Sequence, residues 1–228
     1  MNKTKTSNIL PLILLLLIVI LALFSWIGSA CGLPIHSLFS ADGLRWSFSS
    51  FIPNAASAPW GEILVGLMTC SVVWRSGIMS SMKHGASLKQ RRALSVALLV
   101  LLIETAIVLV LLLPPSMVLL NPFGGLAHSP LLRGLYGILC VALIVVGNVY
   151  GLSSGTFVTM ADAVGAHLTL LRQSLTLVPS VILMSQLVSC ISYMQLLTPN
   201  TTAAQWLTPC LYAVVVALSL PSPQMHKR

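Results

Sequence analysis

Residues 93–113 read ALSVALLVLLIETAIVLVLLL, with Glu104 as the one ionisable group. At about 1.5 Å of rise per residue, a helix of this length covers about 30 Å, the thickness of a bilayer's hydrocarbon core. Upstream stand Lys83, Lys89, Arg91 and Arg92, with His84 among them. Downstream, Pro114-Pro115 removes backbone donors, so the helix should stop or kink there; the alternative is a long tilted helix running on to Leu120. The stretch reads as a membrane span with a basic foot.

Working outward, further apolar runs occupy 9–30, 60–79, 130–151, 174–197 and 203–220. The composition agrees with that reading. Hydrophobic residues make up 57% of the 228 and charged residues only 7%, against about 25% in an average soluble domain. A soluble chain of this size needs far more polar surface. The net charge of +8 comes from a scarcity of acids, 4 against 12 Lys and Arg. Those cations sit in short clusters between apolar runs, so no nucleic-acid partner is expected and the lipid bilayer is. The chain is therefore read as an all-α polytopic membrane protein of about six transmembrane helices, one transmembrane domain over 1–228.

The first run exceeds the core of a secretory signal peptide and is read as a retained helix. Residues 31–59 carry Pro34, Pro53, an Asp42-Gly43 turn signal and four aromatics, and read as a loop with a short interfacial helix. Pro59 and Glu62 suit the start of the second span, and Arg75 its end. Residues 121–125 and 198–202 read as turns, and 152–172 as a short amphipathic or re-entrant segment.

Six spans place both termini on one side, with Lys3, Lys5, the 83–92 cluster, Arg172, Lys227 and Arg228. The other side holds Arg45 and Arg133. By the positive-inside rule the termini are cytoplasmic.

Glu104 is the sharpest functional signal, because a mid-membrane carboxylate costs several kcal/mol unless it faces protein, water or a cation. It reads either as a coupling or substrate group or as a structural contact between helices or subunits. The glycines of Gly147–Thr156 permit an unwound backbone, with Asn148, Ser153, Ser154 and Thr156 offering ligands to a solute. A plain helix terminus explains the same stretch. Gln186, among Ser185, Ser189 and Ser192, either lines a pathway or glues helices. Asp162 either pairs with Arg172 or caps a helix. The five cysteines have no partner at metal-ligand spacing and read as small buried hydrophobes. The five histidines are scattered, and no His-x-x-Glu-His pattern, phosphate loop or nucleophile elbow occurs. No enzyme, metal or cofactor is indicated.

Two blocks carry a family resemblance. The first spans Leu38–Gly77, with Asp42-Gly43-Leu44-Arg45-Trp46, Gly61, Leu64-Val65 and Arg75-Ser76-Gly77-Ile78. The second runs from Asn121-Pro122 through Ser129-Pro130-Leu131, Gly147, Val149-Tyr150-Gly151 and Gly155-Thr156 to Asp162, Gln186 and Tyr193. The chain resembles the AbgT family of p-aminobenzoyl-glutamate transporters. That resemblance implies a multi-pass protein of the inner (cytoplasmic) membrane and a secondary transporter of p-aminobenzoyl-glutamate or a related organic anion. It further implies a homodimer and a coupling proton or cation. Members are much longer and carry two re-entrant hairpins. Here the region between Met79 and Asn121 is too short for the first, and the chain ends where the second should follow. The alternative is a non-transporting scaffold or accessory subunit. The residues with positions to land on are Gly147–Thr156, Asp162 and Gln186.

An epitope inserted within 83–92 is expected to be reached by antibody only after the cytoplasmic face is opened. Labelling of intact cells from outside would reverse the topology.

Overall fold

The computed structural model describes residues 3–83, 87–113, 119–120, 125, 129–195 and 202–220; the side chains of 3–8, 83 and 202–205 fall outside that description. The expectations at Pro114-Pro115, at 121–124 and 198–201, and for Lys227, Arg228, His84, His128 and His226 lie outside the described residues.

Among the described residues the chain forms α1 (Lys3–Ala30), α2 (Ala41–Ser49), α3 (Phe51–Ala56), α4 (Trp60–Ser76), α5 (Ile78–Lys83), α6 (Leu88–Leu112), α7 (Pro130–Ser154), α8 (Met160–Gln173), α9 (Leu177–Tyr193) and α10 (Thr202–Ser219). Each of the six expected spans overlaps a helix, although 60–79 runs past the end of α4 at Gly77 into α5, and α9 occupies only Leu177–Tyr193 of 174–197. Ile9–Ala30, Phe51–Ser76, Leu88–Leu112 and Pro130–Ser154 are long and apolar enough to cross a bilayer. The α8–α9 pair makes a fifth crossing if counted as one broken span, and Trp206–Ser219 is a shorter apolar helix.

Local chemistry sets the boundaries. Ser87 caps α6 by accepting from Gln90 N at 3.4 Å, while Gln90 Oε1 accepts from Ser87 N at 2.9 Å. This capping box starts α6 at Leu88 and draws Lys89, Arg91 and Arg92 into its first turns, where a loop was expected. Leu113 ends α6 in an extended conformation, as a residue before proline must. α7 opens with Pro130 at its first position, behind Ser129, whose Oγ accepts from Leu132 N. The Asp42-Gly43 signal belongs to a helix instead of a turn. Ser40 caps α2 through Gly43 N, and a Cβ at Gly43 would lie 2.3 Å from Ser37 O.

Two compact units form. The first joins Met1–Trp60 to Gln173–Arg228. Here α9 lies against α1, α3 and α10. Ser25 Oγ donates to Ala22 O at 2.7 Å and accepts from Leu38 N at 2.9 Å, which turns the chain back after α1. Trp46 stacks on Tyr193 at 4.4 Å between ring centroids, above Leu38, Cys190 and Met194.

The second unit is Gly61–Arg172. Ala93 and Ala97, one turn apart on α6, pack on Val146 and Tyr150, one turn apart on α7. Small residues let the two backbones approach where lipid offers no hydrophobic drive to association. Gly147 does the same toward α4, since a Cβ there would lie 2.8 Å from Val72 Cγ1, and Val72 is fully buried. Cys140 and Cys190 are buried as expected, whereas Cys31, Cys70 and Cys210 are exposed, against that expectation.

Gly147→Leu should destabilise the protein by about 1–3 kcal/mol through overpacking against Val72. Gly137→Leu, at a position open to at least 4 Å, should leave thermal unfolding in detergent unchanged. Equal midpoints for the two variants would refute the close α4–α7 contact.

Candidate functional site

Of the expected site residues, Glu104, Asn148, Ser153, Ser154 and Thr156 lie in the second unit, and Gln186 in the first. Asn148 sits on α7 one residue beyond Gly147. Its Nδ2 is 3.4 Å from His167 Nε2 on α8, and its Oδ1 is buried with no hydrogen-bond partner among the described residues. His167 Nδ1 is 2.8 Å from Ala163 O. A carbonyl only accepts, so Nδ1 carries the hydrogen and Nε2 accepts from the Asn148 amide.

The imidazole stands on a pinned turn. Ser71 Oγ on α4 accepts from Leu170 N at 3.1 Å and donates to Ala166 O. One fully buried hydroxyl thus bonds the donor and the acceptor of a single helical turn, and ties α8 to α4. Sequence reading missed both residues. His167 carried a usable signal, because it lies on the face of α8 that holds Ala163, Ala166 and Leu170.

α7 continues as helix through Ser154 and ends at Gly155, which adopts φ +78°. The Gly147–Thr156 stretch is thus a helix terminus and not an unwound segment. Ser153 is exposed. Ser154 Oγ and Thr156 Oγ1 are 2.9 Å apart and bond each other. A Cβ at Gly155 would lie 2.6 Å from Lys89 Nζ, so the ammonium lies at the carbonyl end of α7, where the helix dipole favours a cation.

Asp162 acts as a cap. Its Oδ2 accepts from Thr159 N at 2.9 Å and Val158 N at 3.2 Å, while Thr159 Oγ1 accepts from Asp162 N. Arg172 lies at the far end of α8, about 15 Å along the axis, which sets aside the Asp162–Arg172 pair.

Glu104 continues the Ala93–Ala97 stripe of α6, two turns further on, between exposed Ile103 and Thr105. Its Oε2 is buried and has no hydrogen-bond partner among the described residues. Gln186, in contrast, is satisfied. Its Nε2 donates to Phe51 O at 2.7 Å and its Oε1 accepts from Asn54 Nδ2 at 3.2 Å, fastening α3 to α9. Ser185 and Ser192 bond carbonyls of their own helix.

Residues 81–207, more than half of the chain, match the model of the AbgT putative transporter family. No curated protein and no solved structure gave a significant match.

Gln186→Leu should lower stability by about 1–2 kcal/mol by stranding Phe51 O and the Asn54 amide. Gln186→Glu, which keeps the acceptor, should fall between the two in thermal unfolding. An unchanged midpoint for the leucine variant would remove the fastening role.

Proposed function

Because the chain belongs to the AbgT transporter family, we propose that it moves p-aminobenzoyl-glutamate or a related organic anion across the inner (cytoplasmic) membrane. The observation that carries this reading is the family match itself. The matched stretch contains every expected site residue, and within it Asn148 Oδ1, Glu104 Oε2 and Ser174 Oγ are buried with no partner among the described residues. Buried polar atoms are ordinarily bonded, and those left over in a membrane protein mark solute or ion paths.

In this reading Glu104 is the coupling carboxylate. An unpaired carboxylate between apolar helices is costly, so it favours binding a proton or cation. Ser153, Ser154 and Thr156 form a polar rim at the end of α7, beside Lys89. The basic residues at the start of α6, with Arg75, favour an anion at that rim. The working assembly is a homodimer. One observation favours the alternative of a non-transporting scaffold: Gln186, Ser154 and Thr156 are bonded to other groups of this chain.

Uptake of labelled p-aminobenzoyl-glutamate into vesicles holding the purified protein, with and without an ion gradient, separates the two. Transport requires a signal above empty vesicles. With folded protein and no such signal, the scaffold reading replaces it. Glu104→Gln should reduce uptake about tenfold, the equivalent of ~1.4 kcal/mol, with protein level unchanged. Loss of protein in step with uptake would make Glu104 structural.

A further inference from the structure

The Asn148–His167 pair is asymmetric in a way that the transport reading leaves unexplained. In the arrangement observed, both ring nitrogens of His167 are engaged: Nδ1–H donates to Ala163 O and Nε2 accepts from Asn148 Nδ2. That is a complete set for a neutral imidazole. The amide is only half satisfied, because Asn148 Oδ1 is buried without a partner.

Adding a proton at Nε2 reverses the balance. Nε2 then carries a hydrogen and faces an NH2 group, donor against donor. Rotation of the Asn148 amide by half a turn about its terminal torsion brings Oδ1 to Nε2–H. The acceptor that was unpartnered becomes satisfied, and Nδ2 turns to where Oδ1 had been. The imidazole itself is held, since its Nδ1 stays on Ala163 O while Ser71 pins the turn 166–170. The amide torsion is the softest coordinate available to respond.

We propose that His167 is a proton-binding site of this protein, and that Asn148 converts its charge into a change of hydrogen-bonding polarity between α7 and α8. With His167 neutral, the far side of the amide is an acceptor. With His167 protonated, it is a donor suited to a carboxylate. The chemistry balances simply: the Nε2–H bond forms with a proton from water and breaks on its return. The use of this site to drive uptake rests on the transport reading above; the site itself rests on the geometry.

The ionisable groups nearest in register are Asp162 and Arg172 on α8, Cys70 and Arg75 on α4, and Tyr150 on α7. None bonds the imidazole among the described residues. Asp162 is taken up by backbone N–H groups and the Tyr150 hydroxyl by Ser81.

The test uses 15N-labelled full-length protein in detergent micelles, titrated over about pH 5 to 8, where an imidazole ordinarily changes charge. The Asn148 side-chain amide signals should move through a single transition, and the same signals in His167→Gln should stay flat. Glutamine keeps a donor for Ala163 O but takes up no proton. A flat wild-type amide, or an unchanged transition in the variant, overturns the site. In vesicles, a pH gradient should stimulate p-aminobenzoyl-glutamate uptake by wild type more than by His167→Gln, which keeps Glu104. Equal stimulation in both overturns coupling through His167 and leaves transport standing. A titrating amide with no uptake in either protein supports the proton site and removes the transport reading instead.

Discussion

Inside a bilayer there is no water to bond an exposed N–H or C=O, so each polar group must find its partner within the protein. Backbone groups meet that demand by forming helices. Side-chain hydroxyls meet it by bonding a carbonyl three or four residues back, as Thr69, Ser76, Ser81, Thr105, Ser180 and Ser192 do. Ser76, Thr105, Ser180 and Ser192 are neutralised locally in this way, while Thr69 and Ser81 also reach across to α7, at Cys140 O and the Tyr150 hydroxyl. The informative residues are the exceptions. Ser71 bonds across to another helix, Gln186 clasps a separate one, and Asn148 and Glu104 each keep a buried oxygen without a partner.

Packing follows from the same solvent. Lipid removes the hydrophobic drive between helices, so contact depends on fit. Ala93 and Ala97 on α6, and Gly147 on α7, serve as the points of close approach in the second unit. At the end of α7 a left-handed glycine stops the helix, and the Lys89 ammonium lies beside that glycine. The stretch that carries most of the candidate ligands thereby ends in an ordered terminus.

Family membership and the polar census point the same way but speak to different things. The match over 81–207 assigns the chain to a transporter family and to a multi-pass membrane setting. It says nothing of which atoms act. The hydrogen-bond pattern shows which candidates are already engaged: Gln186 holds α3 to α9, Ser154 and Thr156 bond each other, and Asn148 faces His167. Asp162, which could have paired with Arg172, is spent on the cap of α8.

Apolar run length was enough to place the long helices. Hydrophobic length and capping chemistry are local properties of the chain, as Ser129-Pro130 and the proline after Leu113 illustrate. Local reading went astray at Asp42-Gly43, where the Ser40 cap draws a turn signal into the start of a helix. It also treated His167 as one of five scattered histidines, because the partner that matters lies nineteen residues away on another helix. Which polar side chains are satisfied, and by what, was decided only when α4, α7 and α8 came together. A hydrogen bond between helices depends on distances that residue order leaves open.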